Sequence, residues 1–168
     1  MSKRVPVGVG VVVVRNGHLL VGHRLGAHGS NTWALPGGWL ESDDESIEHC
    51  ASRELAEETG LTALSLRVLD LAPFKQSLDG VHSVSVYVLA HTDHACEPEV
   101  REKHKCAEWR FIALRDQVPV AMRVFPALQQ FSVLVFLRAR GTDARFFSSS
   151  GSVLLRKRVL LEAELFPE

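Results

Sequence analysis

The sequence predicts an α/β domain with a mixed β-sheet and flanking helices. Three observations point there. A run of valines, Val7 to Val14, reads as a buried strand. Segment 43–59 carries apolar residues at helical spacing. Strand-like and helix-like segments then alternate without a strict βαβ rhythm, which favours a mixed sheet over a purely parallel one.

Taken in order, Lys3 and Arg4 followed by an apolar run superficially resemble a secretion signal. Pro6, Gly8 and Gly10 interrupt the run, its residues are β-branched, and no small-residue cleavage site follows. A strand is the better reading. Asn16-Gly17 marks a hairpin turn, and Leu19 to Arg24 is the returning strand. Gly26 to Thr32 is a loop. Trp33-Ala34-Leu35 is a short strand ended by Pro36-Gly37-Gly38. Ser42 and Glu45 stand at capping-box spacing, so a helix is expected from about Asp43 to Thr59, closed by Gly60. Leu64 to Phe74 and His82 to His91 read as strands around an Asp79-Gly80 turn. Thr92 to Lys105 is a polar loop, Cys106 to Ile112 a strand, and Ala121 to Phe131 a second helix. Residues 142–152 read as a loop, and 153–166 as an amphipathic helix docked on the domain or on a dimer mate. The expected division is a catalytic domain over 1–140 and a C-terminal extension over 141–168.

Composition narrows the function. With 168 residues the chain is long enough for one cored domain. Nineteen basic and twenty acidic residues give a net charge of -1, which argues against a nucleic-acid polymer as partner. No stretch is apolar and long enough to span a membrane. Cys50, Cys96 and Cys106 are odd in number and widely spaced, so neither a disulfide framework nor a zinc site follows, and a reducing, cytoplasmic setting is expected.

The chemistry concentrates in the 43–59 helix. At 100° per residue, Ile47, Ala51 and Leu55 share one stripe, with Cys50 at its edge. Glu54 and Glu58 fall inside that apolar stripe and Glu57 at its margin. Like charges at i,i+3 and i,i+4 repel by roughly 0.2–0.5 kcal/mol per pair, and more when partly buried. They also crowd the helix C-terminus, against the macrodipole. A solvated acidic helix end is the plain alternative. A hard cation between the carboxylates removes the conflict, and oxygen-only ligands suit Mg²⁺. Arg53 is i,i+4 to Glu57, either as a surface pair or as the group that orients Glu57. Pro36-Gly37-Gly38 is either a simple turn or a place where backbone approaches an ion or phosphate closely.

These residues resemble a known pattern. Gly38-x6-Glu45-x7-Arg53-Glu54-Leu55-x-Glu57-Glu58-x-Gly60-Leu61 is similar to the Nudix box, G-x5-E-x7-R-E-U-x-E-E-x-G-U, where U is bulky and apolar. One departure exists: the Gly38-to-Glu45 interval is one residue longer. Either the loop bulges or Asp44 takes the place of the first acid. The segments Val7 to Val13, Gly22-His23-Arg24, Trp33 to Gly38, and Cys106-x-x-Trp109 resemble the MutT-type nucleoside triphosphate diphosphatases, including the MutT-homologue-2 type. That likeness runs from about Val7 to Pro119.

The resemblance implies a Nudix α/β/α sandwich and hydrolysis of a nucleoside diphosphate linked to another group. It implies Mg²⁺, with Mn²⁺ able to substitute, held by Glu54, Glu57, Glu58 and the Gly38 carbonyl. One further acid, Glu102 or Glu108, is expected near Trp109. Glu54 or Glu57 is implied as general base, with Arg53 in support; His23, His28, His82 and His104 are other candidates. Arg24, Leu35, Gly37 and Gly38 are expected to contact the substrate, a small nucleotide, and Trp33, Phe74 or Trp109 to stack on its base or pack in the core. The implied reaction converts a triphosphate, including oxidised or modified ones, to monophosphate and pyrophosphate in nucleotide-pool sanitation. A homodimer is also implied. Rival readings are a hydrolase of diphosphate sugars, dinucleotides or pteridine triphosphates, and a silent nucleotide-binding module.

Overall fold

The computed structural model describes residues 5–26, 29–76 and 82–113. The expected Asp79-Gly80 turn, the 121–131 helix and the whole extension from 141 lie outside them.

The first strand, β1 (Val7–Arg15), turns at Asn16-Gly17 into β2 (His18–Arg24). Both turn residues have positive φ, 48° and 72°, the geometry a two-residue hairpin needs to match strand twist. Two short strands follow, β3 (Trp33–Ala34) and β4 (Gly37–Trp39). The helix α1 (Ile47–Thr59) comes next, then β5 (Ala63–Gln76), β6 (His82–Thr92) and β7 (Cys106–Ala113).

The sheet is mixed, in the order β3-β2-β1-β6-β5, with β4 added to β1 and β7 to β2. Among the described strands only β1 and β6 run parallel, in register from Val7–Val84 to Val13–Ala90. Their central place explains the unbroken apolar runs. Val11, Val12 and Val13 are all buried, as are Val86 to Ala90, so both faces of these strands are covered. Tyr87 is accordingly as buried as Val88, although the two point to opposite faces of β6.

One face carries Val9, Val11, Val13 and Val88, and α1 packs on it through Cys50, Ala51 and Leu55. The stripe read from the sequence is thus the packed one, and burying Leu55 contributes roughly 2–3 kcal/mol.

Two boundaries differ from expectation. Pro36-Gly37-Gly38 does not simply end a strand: Gly37 and Gly38 pair with Gly10 and Val9 of β1. The helix begins at Ile47, not Asp43, and its N-cap is Ser46, whose hydroxyl accepts from the His49 amide at 3.0 Å. Ser42 and Glu45 form no capping box, because residues 41–44 close a turn in which the Asp44 carboxylate accepts from the Glu41 amide. At the other end Gly60 adopts φ 73°, and its amide closes on the Ala56 carbonyl. A side chain there would meet both that positive φ and the Arg101 guanidinium. Gly60→Ala is expected to cost about 1–2 kcal/mol in chemical denaturation. Gly26→Ala, where nothing crowds the new methyl, should leave the midpoint unchanged; equal effects of the two would contradict this account.

Candidate active site

The site forms where the last turns of α1 meet β4. Gly37 has φ +142°, and a side chain on it would run into the Val9 carbonyl. Its amide donates to Glu58 Oε2 at 2.9 Å. Gly38 presents its bare α-carbon to the Glu54 carboxylate, leaving no room for a side chain between strand and helix. The two glycines are thus a close approach of backbone to acids, as well as a strand. Leu35 is buried, packed beside Gly10.

Arg53 organises the start of the site. Its Nε and Nη2 donate to Asp44 Oδ1 and Oδ2 at 3.0 and 2.7 Å. Its Nη1 donates to Glu54 Oε1 at 2.7 Å and reaches Glu57 Oε2 at 3.5 Å, and Nη2 also meets the Trp39 carbonyl. The paired fork holds the Asp44 carboxyl well below the usual carboxylate range and raises the Arg53 guanidinium. This settles the extra residue in the sequence pattern. Asp44, separated from Gly38 by five residues as the pattern has it, takes the first acid's place beside Arg53, and the added residue falls between the two. Glu45 makes no hydrogen bond or ion pair with Arg53.

The three carboxylates differ. Glu57 is 57% exposed and Glu54 13%. Burial raises Glu54, opposed by Arg53. Burial also pushes Glu58 up to about 7; the Gly37 amide opposes it, while Glu54 and Glu102 add repulsion and Arg24 attraction. Among the described residues no three acidic, histidine or cysteine side chains already converge on one point: Glu54 leans to Arg53 and Glu57 points outward. The donor set nevertheless fits a hard cation, being all oxygen with its charged forms disfavoured by one another and by burial.

The loop between β6 and β7 completes the site by capping the helix. The Ala56 carbonyl receives Arg101 Nη1 at 3.2 Å, the Glu58 carbonyl receives the Arg101 amide at 3.3 Å and Trp109 Nε1 at 3.2 Å, and the Thr59 carbonyl receives the Glu99 amide at 2.8 Å. These satisfy carbonyls that a helix end leaves orphaned. The same loop sets Glu102 close enough to repel Glu58, whereas Glu108 is paired with Arg110 at 2.9 Å. Of the two acids, Glu102 is thus the one whose charge is felt at Glu58, while Glu108 is engaged by Arg110.

The remaining candidates sort by contact. Trp109 is tied to the helix end and covers Gly22, and Trp33 is buried with His23 stacked on it at 5.0 Å; both are packing residues here. His23 Nε2 lies 2.9 Å from Asn31 Oδ1, and His104 is exposed. His28 and the side chains of Phe74 and His82 lie outside the described set. The three cysteines are free, and burial pushes the Cys50 thiol up to about 12. No described helix is long and apolar enough to cross a membrane.

A mixed sheet clasping an acidic helix against a glycine pair, with an arginine fork at its head, defines a Nudix-type fold and site. The NUDIX domain family model matches residues 4–131, and the chain belongs to that family. A MutT NUDIX hydrolase from Burkholderia pseudomallei is 28% identical and superposes with a TM-score of 0.65, over 74% of this chain and 93% of that one. A bifunctional NMN adenylyltransferase/ADP ribose pyrophosphatase from Francisella tularensis, complexed with AMP and a Mn ion, is 26% identical, with a TM-score of 0.62 over 84% of this chain and 43% of that one. The protein named "Putative hydrolase 111R" of Invertebrate iridescent virus 3 is 32% identical over 73 residues, 42% of this chain; the match spans only 41% of that relative's length.

The Asp44 assignment has a direct check. Asp44→Ala removes the partner of a half-covered guanidinium and is expected to lower the thermal midpoint, whereas Glu45→Ala should melt with the unaltered protein. The reverse order would return Glu45 to the first acid's place.

Proposed function

We propose that this protein is a Mg²⁺-dependent hydrolase that converts nucleoside triphosphates, ordinary or oxidised, to monophosphate and pyrophosphate. The observation that carries this reading is the half-buried Glu58 carboxylate, which accepts from the Gly37 amide while burial, Glu54 and Glu102 disfavour its charge, a conflict that a cation would relieve. Glu54, Glu57 and Glu58, with the Gly38 carbonyl, would hold the metal, and Mn²⁺ would serve in its place. When bound, the ion supplies charge neutralisation at the phosphate oxygens and lowers the pKa of water.

The chain's own residues do the rest. Arg53 keeps Glu54 and Glu57 oriented from behind. Glu57, the most exposed of the acids and held only by a 3.5 Å contact, is free to turn and accept the proton of the attacking water; Glu54 is the alternative base. Arg24 acts on the phosphate chain, since its charge is felt at Glu58 and a guanidinium matches phosphate oxygens. Gly37 and Gly38 let that chain approach the backbone. A housecleaning role in the nucleotide pool is the cellular reading we favour.

A second reading has specific support. The Francisella tularensis structure pairs an ADP ribose pyrophosphatase with AMP and Mn, so a diphosphate-linked nucleoside is the rival substrate. Both are tested by incubating triphosphates and ADP-ribose with and without Mg²⁺ and separating the products. Metal-dependent pyrophosphate release from a triphosphate supports the first reading. Turnover of ADP-ribose alone transfers the site to the second. Glu58→Gln should reduce whichever turnover is seen by about a hundredfold or more.

The same carboxylate makes stability depend on pH. Glu58 has an ordinary value of 4.5 and a folded value of about 7. Between these values the folded state binds more protons than the unfolded one, so its stability falls as pH rises through that window, by up to about 3 kcal/mol for this group. Glu54 is raised too and acts with the same sign. Without metal, the thermal midpoint should therefore decline from about pH 5 to about pH 8. Added Mg²⁺ should restore it at the higher pH and do little at the lower. Glu58→Gln should flatten the decline; a slope that persists in the variant would assign it to other groups.

A further inference from the structure

We propose that Lys105 is a phosphate ligand of this site, held beside it by Glu102 until a metal ion takes over the acids. The proposal rests on the phosphate-chain reading above and adds a residue to it.

Lys105 Nζ lies 2.7 Å from Glu102 Oε1, with the lysine side chain 56% exposed and the glutamate 27% exposed. Such an exposed i,i+3 pair contributes little to stability, so its place matters more than its strength. The Glu102 hydrogen bond raises the ammonium most, and the charges of Glu58 and Glu54 are felt there too, as the charge of Arg24 is felt at Glu58.

Its backbone is fixed. The Lys105 carbonyl accepts from the Leu25 amide at 2.7 Å, and its own amide donates to the Glu102 carbonyl at 2.8 Å. One residue on, Cys106 pairs with Arg24 across β7 and β2. Lys105, the residue before β7, is thereby held next to the end of β2, where Arg24 stands.

The charge balance gives the switch. In the metal-free arrangement Lys105 is the monovalent counter-ion of Glu102 and its neighbours. A divalent ion held by Glu54, Glu57 and Glu58 would be a stronger counter-ion for the neighbouring Glu102 than a half-exposed ammonium, and would weaken the pull of Glu102 on Lys105. A half-exposed ammonium on a flexible stem, with three donors, then turns to the nearest new anion, a phosphate oxygen of the substrate.

The test is calorimetric titration of inorganic pyrophosphate into the full chain in the presence of Mg²⁺, with Mg²⁺ binding measured separately. Lys105→Gln is expected to weaken pyrophosphate binding by about ten- to a hundredfold. Lys105→Arg should restore most of the affinity, and Mg²⁺ binding alone should stay close to that of the unaltered protein. Unchanged pyrophosphate affinity in Lys105→Gln would overturn the proposal and leave Lys105 a counter-ion of Glu102. So would a loss of Mg²⁺ affinity as large as the loss for pyrophosphate, which would place its effect on the metal ligands. If the unaltered protein binds no pyrophosphate with Mg²⁺, the phosphate-chain reading itself falls, and this proposal with it.

Discussion

The site depends on the rotational setting of α1 against the sheet. Cys50, Ala51 and Leu55 are fully buried against Val9, Val11, Val13 and Val88. Burial of one leucine is worth roughly 2–3 kcal/mol, while repulsion between neighbouring helical carboxylates is only a few tenths per pair. Packing wins, and the helix cannot turn to carry its acids into water. Glu54 and Glu58 are consequently pressed against Gly38 and Gly37, the one place where β4 has no side chains to obstruct them. A stability interaction thus fixes a functional geometry that electrostatics alone would not choose.

The C-terminus of the same helix carries a second conflict. Its last turn holds Glu57 and Glu58 and no basic residue, so the macrodipole and the side chains add negative charge at one end. The compensation comes from a loop some forty residues away in sequence. Arg101 caps the Ala56 carbonyl, backbone amides cap Glu58 and Thr59, and Trp109 adds a donor to Glu58. Because that loop must dock to satisfy these carbonyls, it also brings Glu102 and Lys105 to the acids. Capping and site assembly are one event.

Much of this was legible in the sequence because it is periodic. The anomaly of carboxylates in an apolar stripe needs only residue spacing, and the spacing from Arg53 to Gly60 carries the family resemblance by itself. What spacing cannot convey is which of two adjacent acids a loop will present. Ser42-Asp43-Asp44-Glu45 offered a capping box, yet Asp44 is taken by the Arg53 fork and the Glu41 amide, and Ser46 starts the helix instead. A bidentate pair formed across nine residues outcompeted a local cap. The choice between Glu102 and Glu108 was hidden for a related reason: on β7 Glu108 has Arg110 two residues along the same strand, and only the docked loop shows that Glu102 is the acid near Glu58. The Gly37-Gly38 strand was missed because its partner, β1, lies far away in sequence and glycine has low strand propensity.

The acids have cations of two kinds beside them, and the difference is physical. Arg53 is locked by five oxygen contacts and partly covered; a guanidinium so engaged cannot leave without stranding the Asp44 carboxylate. It is a fixed strut. Among the described residues Lys105 makes one side-chain contact, and it is 56% exposed, so little is lost when it moves. A site that must hold its acids still and yet admit a divalent ion and a polyanion needs both: a rigid positive charge behind the ligands, and a loosely held one in front that gives way. Arginine and lysine occupy the positions to which their geometry and hydration suit them.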